Sequence, residues 1–133
     1  MTLKTSILTL LLLAASPVSS KGLTVHMGET WIFVIDRGQP AHARKVVATA
    51  SPAPNAMKVS VQPMMGTTMT ITNNSKYDYA YRALLVMSDG KAGASKVCVV
   101  PAGGRVAFEH WPKPVAAVRL SDFKPAPAGS LCS

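Results

Sequence analysis

The imidazoles available for proton transfer or metal binding are His26, His42 and His110, and none stands in a setting that commits it to catalysis. The sequence has no G-x-S-x-G elbow, no H-E-x-x-H pair, no S-x-x-K pair and no glycine-rich phosphate loop. The acidic side chains Glu29, Asp36, Asp78, Asp89, Glu109 and Asp122 mostly adjoin turn signals, where carboxylates cap and solvate the backbone. Asp36 and Glu109 could each act as a catalytic acid, but spacing singles out neither. Enzyme activity is therefore the least favoured class, and no catalytic residue is assigned.

Soft-metal chemistry has more substance. Thioethers suit Cu(I) and imidazole suits Cu(II), and six of the seven methionines follow residue 20. His26 and Met27 are adjacent, and Met57, Met64, Met65, Met69 and Met87 follow. Met69 and Met87 fall on apolar strand faces, where methionine fills core space. That leaves His26, Met27, Met64 and Met65 as ligand candidates for a small copper carrier. Met64 and Met65, as neighbours on a strand, would point to opposite faces. Copper is thus the alternative reading, and no other cofactor is implied.

Aromatic residues suggest recognition instead. Tyrosine and tryptophan combine a large rigid surface with a polar handle, which makes them interface anchors. Tyr79 and Tyr81 share one strand face and read as half-buried core rings, whereas Tyr77 and Trp111 fall in turn-forming stretches. Tyr77 and Trp111, with Lys76, Arg82 and Lys113 as neighbouring charges, form the candidate binding set.

These residues must be carried by strands, because the apolar period is two rather than 3.6. Met69-Thr70-Ile71-Thr72 alternates strictly, and Tyr79, Tyr81, Ala83, Leu85 and Met87 share one face of a long, central strand. Asn73 to Asp78 between them is rich in turn formers and reads as a hairpin connection. Further strands are expected at Trp31–Asp36, Val46–Thr49, Lys58–Gln62, Lys96–Val100, Arg105–His110 and Val115–Ser121. Glycine and proline clusters at 37–40, 51–55, 89–91, 102–104 and 111–114 separate them. The expected fold is an all-β antiparallel sandwich of about seven to nine short strands, with no long helix.

Ahead of this region lies Lys4, then the uncharged run Ile7 to Ala15, then Ser16-Pro17-Val18-Ser19-Ser20, the layout of an export signal cleaved after Ser20. The run is about half the roughly 20 residues a membrane span requires, so no transmembrane anchor is expected. The first cysteine is Cys98, so no lipid-accepting cysteine stands at the cut. Removing residues 1–20 leaves 113 of the 133 residues (133 less 20), one ordinary domain. The organisation read is a signal at 1–20, a sandwich at 21–123 and a Pro/Ala-rich tail at 124–133. Cys98 and Cys132 are the two cysteines, and in an oxidising compartment they should pair and tie the tail back.

In strand rhythm the chain resembles the immunoglobulin-like sandwich, with the order Cys98, Trp111, Cys132 placing a tryptophan between two cysteines. The resemblance implies a fold and no family, since Cys132 lies in a proline-rich tail rather than in mid-strand.

Charge points to the class of partner. Loss of Lys4 takes the formal charge from +8 to +7, which favours anionic surfaces. The expectation is a basic, exported, non-catalytic module of the bacterial envelope, periplasmic or secreted. It would recognise an envelope protein or an anionic glycan, not nucleic acid, through loops at one end of the sandwich. The sequence leaves the oligomeric state open.

Overall fold

A computed structural model describes residues 21–127 and 129–132. The expected export signal at 1–20 lies outside the described residues. Nine strands form two antiparallel sheets, and no helix occurs among the described residues. In chain order they are β1 (Leu23–His26), β2 (Thr30–Asp36), β3 (Gln39–Val46), β4 (Met57–Gln62), β5 (Thr67–Asn73), β6 (Tyr79–Val86), β7 (Ala92–Ser95), β8 (Arg105–Trp111) and β9 (Ala117–Pro125). One sheet has the order β1-β9-β6-β7 and the other β3-β2-β4-β5-β8. The chain is an all-β sandwich, as its alternation demands.

The alternation decides which side chains meet. Val59, Val61, Met69 and Ile71 of β4 and β5 are buried, with the intervening serine and threonines turned to the outer face. Opposite them, Tyr81, Ala83 and Leu85 of β6 and Val118, Leu120 and Phe123 of β9 complete the core. The ring of Tyr81 stacks on Phe123 with centroids 5.3 Å apart, and Phe33 and Tyr79 pack against the same Phe123. β6 is an interior strand, consistent with its length and apolar content.

Four local expectations are corrected. β1 and β7 had no strand signal: β1 is short, and β7 is Ala-Gly-Ala-Ser, residues of low strand propensity at a sheet edge. The strand expected at Val46–Thr49 lies earlier, at Gln39–Val46, because Pro40 reads as a turn residue yet is tolerated on an edge strand. Lys96–Val100 is not a strand but a connection with single bridges at Cys98 and Val100. The irregular tail begins later than expected, since Lys124 and Pro125 finish β9 against Ala80 and Tyr79.

Cys98 and Cys132 are disulfide-bonded across a separation of 34 residues. In the chain-entropy description a loop of that size is worth about 3–4 kcal/mol. Such a bond is compatible with an oxidising compartment outside the cytoplasm, and no helix of the described residues is long and apolar enough to cross a membrane.

The strand register defines two ends. At the first, β5 finishes beside the start of β8, with Asn73 opposite Arg105. At the second, Thr67 lies opposite Trp111, and the β1–β2 turn, the β4–β5 loop, the β6–β7 turn and the β8–β9 connection gather.

Candidate functional site

The candidate binding residues divide between these ends. Lys76 and Tyr77 belong to the β5–β6 loop at the first end, where the Lys76 ammonium lies 5.2 Å from the Tyr77 ring centroid. Tyr77 is 47% exposed and sets its ring at an angle to Tyr79, 6.2 Å away. Asn73 builds this loop. Its side chain is fully buried, donates to the carbonyls of Tyr77 (2.7 Å) and Val100 (3.1 Å), and accepts from the amide and hydroxyl of Ser75. Asn74 extends the network by donating to the carbonyls of Pro52 and Ala53.

Trp111 is not a turn residue. It closes β8 at the second end, is buried in the core, and donates from its indole nitrogen to the Ser95 hydroxyl at 2.8 Å. The Trp111-Pro112-Lys113-Pro114 run looked like one turn because proline dominates it, but tertiary packing draws the first residue inward. Arg82 sits on the exposed face of β6, 3.9 Å from the Asp122 carboxylate, apart from both aromatic residues. Hydrogen bonds from Gln39 and Ser121 hold the Asp122 carboxyl below its ordinary range, with Arg82 adding a smaller effect.

Lys113 does occupy a constructed position. The Thr67 hydroxyl donates to the Lys113 carbonyl at 2.9 Å and accepts from the Val115 amide at 3.2 Å, and Thr67 is fully buried. Gly66, at φ +104°, lets the β4–β5 loop close on this connection: a Cβ there would lie 2.7 Å from the Lys113 amide nitrogen. The lysine is thereby held beside β7, which the Trp111–Ser95 bond ties down from the other side.

Between Lys113 and β7 opens a cavity of about 250 Å³. Leu85 and Met87 line it from within the sandwich, Lys91 and Lys113 flank it, and Ala92 and Gly93 form its β7 wall. Lys91 is set by the β6–β7 turn, in which the Met87 amide donates to the Lys91 carbonyl and the Lys91 amide to the Asp89 carboxylate. Sequence reasoning found Lys113 but passed over Lys91, Gly93 and this opening. The available signal was a glycine flanked by alanines within a strand-length segment, a mark of close approach or empty space.

The copper candidates gather at the same end but are partly committed elsewhere. His26 Nδ1 lies 3.2 Å from Glu29, and Met27 packs against the core. Met64 and Met65 are exposed in the β4–β5 loop, the latter by 89%. No cluster of three or more histidine, cysteine or acidic side chains suited to a metal occurs among the described residues. Glu29 is instead a structural hub: it accepts from the His26 amide and the Trp31 indole and pairs with Lys45 at 2.9 Å. The Lys45 contact leads in holding its carboxyl down to about 2.

No family model, curated protein or solved structure matches this chain. The site therefore rests on its own chemistry. Tyr81 has a buried hydroxyl with no partner among the described residues, and burial, followed by the nearby Glu109, pushes its pKa upward. A phenol held neutral in this way is not a base. Glu109 itself accepts from the Cys98 amide at 2.6 Å, a structural use of the carboxylate. Also unforeseen are Val106 and Phe108, 45% and 69% exposed on edge strand β8.

Proposed function

We propose that the chain is an exported, non-catalytic interaction module of the bacterial envelope that holds an anionic protein or glycan at the Lys91–Lys113 end of the sandwich. The observation that carries this reading is the apolar-floored opening flanked by two lysines, one of them positioned by buried Thr67. Charge supports it. Five of the six acidic side chains, Glu29, Asp78, Asp89, Glu109 and Asp122, are engaged in caps or ion pairs; the Asp89 pair is with Lys91 itself, at 3.9 Å between exposed groups where such a contact is weak, so a basic excess is left to offer a partner. The periplasm or medium is the matching compartment for a disulfide-bonded chain.

Capture from envelope extract on immobilised protein starting at Lys21 tests this. Lys91→Glu with Lys113→Glu should abolish capture, added salt should weaken it, and Lys76→Glu at the far end should leave it unchanged. Capture indifferent to both lysines would refute the reading. Tight copper binding lost on changing His26 and Met27 would favour the metal carrier instead.

A further inference from the structure

β7 is an edge strand protected only by its shortness and by the lysines beside it, with no charge, proline or bulge within its four residues. Sheet edges are ordinarily protected by charged side chains, proline, bulges or a covering segment. Here the four residues are Ala92, Gly93, Ala94 and Ser95, the first three exposed, and their pairing is with β6 on one side. Among the described residues, no backbone hydrogen bond leaves the outer side of β7. The basic residues Lys91 and Lys96 flank the strand, Lys91 with its exposed ammonium 3.9 Å from the Asp89 carboxylate, and Lys113 faces it across the opening.

Gly93 explains the opening itself. It pairs with Leu85, so its missing side chain belongs on the inner face that Leu85 shares. Its φ lies outside the left-handed region, and a Cβ built there would meet nothing within 4 Å. A glycine without a conformational reason has left a hole beside a free strand edge. At about 250 Å³, the hole is below the ~300–1,000 Å³ of small-molecule sites and is suited to a single apolar side chain.

We infer that β7 takes an added strand: an extended acidic peptide segment of a partner pairs with its free edge, seats one apolar side chain over Gly93, and sets carboxylates against Lys91 and Lys113. Main-chain pairing would supply affinity, and the pocket and lysines would supply specificity. Charge complementarity favours an acidic peptide over a second copy of this basic chain. This inference rests on the proposed binding reading and names its ligand.

The test is a displayed library of random heptapeptides selected on the protein starting at Lys21. The expected winners carry an aliphatic or aromatic residue flanked by Asp or Glu. A winning peptide should lose at least about tenfold in affinity toward Gly93→Leu, whose side chain fills the hole, and toward Lys113→Glu. It should lose a similar factor when its own pairing amides are N-methylated, a change that leaves the protein untouched. Binding should also slow amide exchange across Ala92–Ser95. Absence of acidic enrichment, or winners indifferent to both Gly93→Leu and N-methylation, would overturn the inference. If envelope capture still depends on Lys91 and Lys113 in that case, the binding reading stands with a glycan as ligand. Self-association of the chain abolished by Gly93→Leu would name a second copy as occupant and likewise overturn it.

Discussion

The two ends of the sandwich are built from different materials. At the β5–β6 end, neutral amides of Asn73 and Asn74 bond to backbone carbonyls of Tyr77, Val100, Pro52 and Ala53, and loop positions are consumed in the knot. At the opposite end, Thr67 and Glu29 hold single loops, and an opening remains between Lys113 and β7. A turn rich in side-chain hydrogen bonders spends them on itself, whereas one positioned from beneath leaves Lys113 clear, with Lys91 in only an exposed 3.9 Å pair with Asp89. The Lys76–Tyr77 pair is exposed but sits on a closed surface, while Lys113 stands at a cavity.

The largest expected effect comes from Trp111→Ala. It removes a buried indole and its bond to Ser95, and should cost about 3–5 kcal/mol in a urea titration. A small loss of stability with unchanged sheet signal would place the ring outside the core and return it to the binding candidates.

Asn73→Ala attacks the closed end by removing one donor from each of the Tyr77 and Val100 carbonyls, which keep the Ser75 hydroxyl and the Tyr79 amide, and by taking the acceptor of the Ser75 amide. A loss of about 2–3 kcal/mol is expected in the same titration, with binding at the other end unaltered. Loss of capture without loss of stability would show that the ends are coupled.

The ends should also differ in acid response. The folded-state value of Glu29, about 2 against an ordinary 4.5, lies below its unfolded value, so its contribution is full above pH 4.5 and is lost as pH falls through about 2. Glu29→Gln should flatten the stability profile across that window, whereas Asn73 has no proton to exchange. Equal slopes in the parent and Glu29→Gln proteins would remove Glu29 as the acid-sensitive hub.

The smallest effect should follow Tyr77→Ala, within about 1 kcal/mol of stability and without change in capture, because its exposed ring adds an edge contact to Tyr79 and an exposed approach of the Lys76 ammonium. Weakened capture would move the binding face to the closed end.

Alternation made the β class legible and located β4, β5 and β6, because a half-buried strand writes period two into its own residues, while β2 was marked by its continuous apolar run and β8 by an alternation whose apolar residues Val106 and Phe108 face outward. The cysteine pair was equally readable, since an expected oxidising compartment and two thiols leave one partner each. Edge strands β3 and β7 left no such trace, because exposure relieves them of an apolar face. Nor could local sequence separate Trp111 from Tyr77: both adjoin turn formers, and which ring is buried depends on the opposite sheet. The opening beside Gly93 was decided by tertiary structure alone. It exists because Leu85 and Met87 of one hairpin come to face Lys113, which follows a strand of the other sheet, and no local pattern records a space enclosed by residues so far apart in the chain.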